Sequence, residues 1–240
     1  MTTRYQDQKM KKSIILQLMF FLLIPKLALA QVEEDKLGAW YMYFFNTTFK
    51  ESPWGIQGDI QYRNWNLGGD LEQLLLRGGI TYSPSKTFLK LTLGYGNITT
   101  GVYGSSQVTK LENRIYQEAL FPVQLGKRIY TQHRFRYEQR FVENQDFRTR
   151  YRYNIFLNVP INKAVFESRT LYFASYNEIF INGQRNTGQG NRVALYDRNR
   201  FYLGIGYMIK KGLKVQLGVL NQSTDVWQKK QLQFSLHHKI

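Results

Sequence analysis

Cysteine is absent from this 240-residue chain. Its absence excludes a disulfide scaffold, a thiolate metal site, a cysteine nucleophile and a lipid anchor carried on cysteine. Histidine is nearly absent too: His133, His237 and His238 are the whole complement. No metal-ligand cluster, phosphate-binding loop or nucleotide motif occurs, so no metal, no cofactor and no catalytic set is predicted. Acidic residues are few, 17 against 33 Lys and Arg, which leaves a net charge of +16. Such a surplus points to nucleic acid, an anionic membrane surface or an anionic solute. Heptads, Pro/Ser-rich linkers and low-complexity tracts are missing. One apolar run stands out, but the mean hydropathy is negative, so the chain is not a bundle of membrane helices.

That run, residues 13–24 (SIILQLMFFLLI), follows Lys9, Lys11 and Lys12 and precedes Ala28, Leu29 and Ala30. A cationic stretch, a short apolar stretch and a small-x-small site make a cleaved signal peptide over residues 1–30, with Gln31 the first mature residue and Met10 an alternative start. The run is too short to cross a hydrocarbon core roughly 30 Å thick. Cleavage leaves 28 basic and 16 acidic residues, net +12. Export removes nucleic acid from the partners that the charge suggests. Residues 31–240 then read as one domain.

What the mature chain has is alternation. In residues 146–159 (DFRTRYRYNIFLNV), Arg148, Arg150, Arg152 and Asn154 alternate with Thr149, Tyr151, Tyr153 and Ile155. A period of two is a β-strand, because successive side chains leave opposite faces. Residues 129–141 repeat it, with Arg134, Arg136, Glu138 and Arg140 against Phe135, Tyr137 and Phe141; His133 falls on the apolar side. Glu112, Arg114 and Glu118 oppose Ile115, Ala119 and Phe121, with Gln117 on the apolar side. Earlier, Asp59 and Arg63 alternate with Ile60 and Tyr62, and Arg77 with Leu76 and Ile80. Later, Arg200 opposes Phe201 and Leu203, Lys214 and Gln216 oppose Val215 and Leu217, and Gln233, Ser235 and His237 oppose Phe234 and Leu236. Residues 37–46 are apolar on both faces. Residues 165–181 change parity part-way, which predicts a long strand with a β-bulge or bend.

Strands of about ten residues with one apolar and one polar face predict an all-β fold: a transmembrane, antiparallel, up-and-down β-barrel. A soluble periplasmic sandwich or lipocalin-like barrel is the alternative. The polar face favours the membrane barrel, since it stacks arginine with carboxylate on neighbouring strands, where opposed Cβ atoms lie roughly 5 Å apart. Arginine's planar fork suits partly desolvated pairs better than lysine does. The expected lumen is lined by Asp59, Arg63, Arg77, Glu112, Arg114, Glu118, Arg134, Arg136, Glu138, Arg140, Arg148, Arg150, Arg152 and Arg200. Short turns at 83–86, 160–164 and 210–212 alternate with polar loops at 97–109, 182–194 and 221–225. Eleven segments can be counted; since single-chain bacterial barrels have even numbers, the expectation is twelve strands, or ten.

With these segments in view, the chain resembles the domain of unknown function 2490 family of Gram-negative outer-membrane proteins. The resemblance rests on Leu37 to Trp40, Asp59 to Arg63, Glu112 with Arg114, His133 to Phe141, Arg148 to Tyr153 and Asn177 to Phe180. It implies a barrel in the outer membrane and no activity.

Three functions fit. The first is a structural or small-solute barrel, in which surplus cations favour small anions if a path remains and the pairs plug the lumen if none does. The second is a surface module on which Lys110, Arg185, Arg192 and Arg198 hold anionic lipid or polysaccharide. The third is a lipid hydrolase or acyltransferase, for which nothing places a histidine beside Ser168 or Ser175. Asn177 and Glu178 pose a separate question. As neighbours they leave opposite faces, so one of them needs a bulge or a position near the membrane rim.

Overall fold

The computed structural model describes residues 36–104 and 107–240; the expected signal peptide lies outside the described residues. The described residues contain β-strands and no helix. The strands are β1 (Gly38–Thr48), β2 (Trp54–Asn64), β3 (Leu71–Tyr82), β4 (Lys90–Gly101), β5 (Thr109–Leu125), β6 (Ile129–Val142) and β7 (Arg148–Pro160), followed by β8 (Leu171–Asn182). Two short strands, β9 (Asn186–Gly188) and β10 (Asn191–Arg192), form a small hairpin inside the next loop. β11 (Tyr196–Lys210), β12 (Leu213–Ser223) and β13 (Gln228–Lys239) complete the chain. All but β9 and β10 join in one closed barrel.

That barrel has eleven strands, neither twelve nor ten. Sequential neighbours are antiparallel, but an odd count makes the first and last strands run the same way. The seam is therefore parallel, from Gly38 opposite Gln231 to Asn46 opposite Lys239. Closure needs only that every edge group finds a partner, and a parallel ladder supplies one. The start of β1 and the end of β13 consequently lie at opposite mouths. The mouth where β1 begins is the N-terminal mouth; the mouth where β13 finishes is the C-terminal mouth.

The period-two pattern sets which side chain goes where. On β7, Arg148, Arg150 and Arg152 are buried while Tyr151 between them is 54% exposed. On β11, Arg200 and Tyr202 are buried, and Phe201, Leu203, Ile205 and Tyr207 are exposed. On β1, whose faces the sequence leaves open, Trp40 and Met42 turn inward and Tyr41 outward. Room for inward rings comes from glycines. A Cβ on Gly94 would strike the Tyr116 ring, and one on Gly206 the Tyr172 ring.

Two elements differ from expectation. Residues 161–170 are a turn and not the first half of a bulged strand; β8 starts only at Leu171. The Asn162 side chain holds that turn, accepting from the Leu171 backbone N–H at 2.8 Å and donating to the Arg169 carbonyl at 3.1 Å. The parity change is this turn. The expected loop at 97–109 shrinks to 102–108, because β4 runs on through Gly101 and β5 begins at Thr109.

Candidate functional site

The register brings opposite charges face to face inside the barrel. Asp59 on β2 is opposite Arg77 on β3, Glu118 on β5 opposite Arg136 on β6, and Glu138 on β6 opposite Arg150 on β7. Each pair is made: Arg77 Nη2 lies 2.9 Å from Asp59, Arg136 Nε 2.8 Å from Glu118, and Arg150 Nη2 2.6 Å from Glu138. Like charges also face one another, Arg114 against Arg140 and Arg136 against Arg152. Carboxylates on the diagonal relieve them. Glu112 accepts two hydrogen bonds from each of Arg114 and Arg140, and Glu138 accepts from Arg152 as well as Arg150. Forked guanidinium groups make such two-point contacts where ammonium groups would not.

Of the arginines and carboxylates expected in the lumen, Arg77, Arg134 and Arg140 are half-buried and all the others are buried. All lie inside the barrel wall. The structure adds three carboxylates to them. Glu178 bonds both Arg134 (2.7 Å) and Arg152 (2.6 Å), and Asp197 bonds Arg150 at 2.8 Å. Glu72 accepts from the Trp40 indole N–H at 2.7 Å. Parity alone would send Glu72 outward. The register slips between Asn64, opposite Leu71, and Arg63, opposite Gln73, so Glu72 is the extra residue of a bulge and turns in. Asn177 needs no bulge: it faces outward and exchanges side-chain amide bonds with Asn199.

The interior is filled unevenly. Toward the N-terminal mouth lie Glu112, Arg114, Glu138, Arg140, Arg150 and Asp197, interlocked as above. At this mouth three loops meet as rings: Trp65 packs edge-on against Tyr103 (5.6 Å) and against Trp227 (6.2 Å). From the middle of the barrel to the C-terminal mouth there is a cavity of about 240 Å³. Trp40, Arg63, Arg136, Arg152 and Arg200 line its inner part; Asn46, Asn158, Lys214 and His237, all close to strand ends, line its outer part.

Lys214 and His237 were legible only as polar-parity positions on β12 and β13. Nothing in their own segments set them apart. His237 Nε2 lies 3.0 Å from Ser235 Oγ, and its ring stacks on Phe44 at 4.8 Å. Ser235 is buried and does not line the cavity. His133 is on the outer face, 2.8 Å from the Tyr153 hydroxyl and stacked on Phe121. Ser168 lies in the exposed 161–170 turn. Ser175 is opposite Leu157 and Leu203 in the sheet.

Of the loop cations, Arg185 and Arg192 share the loop that carries β9 and β10. Arg198 is paired with Asp197 at 3.3 Å, and Arg185 donates to the Val193 carbonyl. Lys110 sits at the start of β5 and Arg192 is exposed on β10.

No curated protein matches this chain. A family model described as protein of unknown function (DUF2490) matches residues 37–233. That match takes in every barrel strand up to β12 and the first half of β13, and the chain therefore belongs to the DUF2490 family.

Proposed function

We propose that the protein is an outer-membrane β-barrel of a Gram-negative bacterium, of structural or small-solute type, with a lumen stoppered by ion pairs in its N-terminal half. One observation carries the reading: the barrel is apolar outside and charged inside. Ile60, Ile80, Leu93, Phe135, Tyr151, Leu203 and Leu217 are exposed, while Glu138, Arg150 and Arg152 are buried. A soluble protein does not leave so broad an apolar belt in water. Lipid around the belt satisfies it, and the closed wall leaves no backbone edge in the hydrocarbon. Strands of 11 residues or more are long enough, since a tilted membrane strand needs about 9–11. We place the C-terminal mouth in the periplasm, because connections there are as short as residues 211–212, whereas 183–195 lie at the other mouth.

The interlocked pairs favour a barrel that does not conduct steadily over an open pore. The protein acts without a cofactor and without catalysis in this reading; its partners are membrane lipid and small anions. An anionic polysaccharide on the loops fits less well, because Arg198 is already paired with Asp197 and Arg185 is bound to its own loop backbone.

Cell fractionation and planar bilayers test the proposal. The protein should stay with the outer-membrane fraction through a urea wash and insert into bilayers without steady current. Recovery in the soluble periplasm would overturn the membrane reading. A steady anion-preferring current would replace the stopper with a pore.

A further inference from the structure

We propose that the hollow half of the lumen is a binding site for a small organic anion, an acid group carried on a planar apolar body, which enters from the C-terminal mouth. The inference rests on the stoppered-lumen reading above and names the class of solute.

The charge balance of the cavity is the first ground. Three carboxylates line it, Asp59, Glu118 and Glu178, and each is already bound by arginine. Three cations that line it have no carboxylate within ion-pair distance among the described residues: Arg63, Arg200 and Lys214. Arg63 donates only to the side chains of Gln61 and Gln73, and Arg200 to that of Gln222. The Lys214 ammonium makes no hydrogen bond among the described residues and lies 5.9 Å from the Tyr172 ring centre. Buried cations left without a counter-charge are costly, and an anion supplied from outside removes that cost.

Unused polar groups are the second ground. Asn154 is 1% exposed, lines the cavity, and has neither its side-chain nitrogen nor its side-chain oxygen hydrogen-bonded among the described residues. Among the described residues the Tyr202 hydroxyl is equally buried and without a hydrogen-bond partner, and so is Arg136 Nη1, which lies 3.9 Å from Glu138. Buried polar groups are nearly always satisfied, so three orphans on one cavity point to a ligand that satisfies them.

The walls and size define the rest of the molecule. The Trp40 ring packs against both of these guanidinium groups, its centre 3.9 Å from Arg63 and 4.8 Å from Arg200. Phe44, Phe156 and Tyr176 supply further flat apolar surface. About 240 Å³ is below the roughly 300–1,000 Å³ of drug-sized pockets, which limits the ligand to about a single ring and its acid group.

The test is calorimetric titration of the full barrel, folded in detergent micelles, with benzoate, benzyl alcohol, benzylamine and inorganic phosphate. Benzoate should bind at least tenfold tighter than benzyl alcohol, benzylamine and phosphate. K214Q and R200Q should each weaken benzoate about tenfold, and R185Q, in the loop at the other mouth, should leave it unchanged. Should R200Q fail to fold, K214Q alone decides, because that ammonium group holds nothing else in place. Equal binding of benzoate and benzyl alcohol, phosphate as tight as benzoate, no benzoate binding, or an unaffected K214Q would each overturn the proposal. Failure of the stoppered-lumen reading is distinguishable, since it shows as steady current in bilayers or as protein in the soluble fraction.

Discussion

The two halves of the lumen are built from the same wall and the same residue types, yet one is full and the other hollow. In the N-terminal half every carboxylate is shared: Glu112 between Arg114 and Arg140, Glu138 between Arg150 and Arg152. In the hollow part Asp59, Glu118 and Glu178 are each bound by arginine, Arg63, Arg200 and Lys214 have no carboxylate within ion-pair distance among the described residues, and Asn46, Asn158, His237 and aromatic rings line the rest. The contrast lies in which charges find partners: arginines share carboxylates in the filled part, while some cations of the hollow part reach none.

The most forceful way to break this contrast is to remove the carboxylate at the heart of the full half. Glu138→Gln keeps the shape but leaves Arg150 and Arg152 short of a counter-charge. Urea unfolding in micelles should show a loss of about 3–5 kcal/mol, the cost of breaking a buried pair from one side. A loss below about 1 kcal/mol would mean that charge does not hold the stopper. Next, Gly206→Val drives a Cβ into the Tyr172 ring and should cost about 1–3 kcal/mol by overpacking in the same assay. Smaller again is Tyr172→Phe, which removes the hydroxyl that accepts from Gln216 Nε2 at 3.1 Å; about 1 kcal/mol is expected. Least of all is Tyr202→Phe. Its hydroxyl has no partner, so thermal unfolding of the ligand-free barrel should shift by no more than about 0.5 kcal/mol, and toward stability if at all. A Tyr202→Phe loss equal to that of Tyr172→Phe would sink the distinction between used and unused polar groups.

Legibility in the sequence followed the same divide. β6 and β7 could be read residue by residue because Arg134 to Arg140 and Arg148 to Arg152 keep an unbroken period of two beside aromatic neighbours. β1 could not, because its inward residues Trp40 and Met42 are as apolar as its outward ones; the lumen there is lined by rings. Glu72 escaped because a bulge reverses parity for one residue, and 165–181 misled because Asn162 builds a turn from residues that carry strand-like alternation. Lys214 and His237 lie on the polar parity of their strands, and only their meeting at one mouth gives them meaning.

The local pattern by itself determined the strand segments, the apolar outside and the charged inside, because a strand's side chains alternate whatever the strand pairs with. The strand number, the parallel seam between β1 and β13, and the division of the lumen were decided by tertiary structure alone. Those depend on which strands meet across the closed wall and on which charges then stand within a few ångströms of each other. Residues such as Gly38 and Gln231, at opposite ends of the chain, have no local way to encode that meeting.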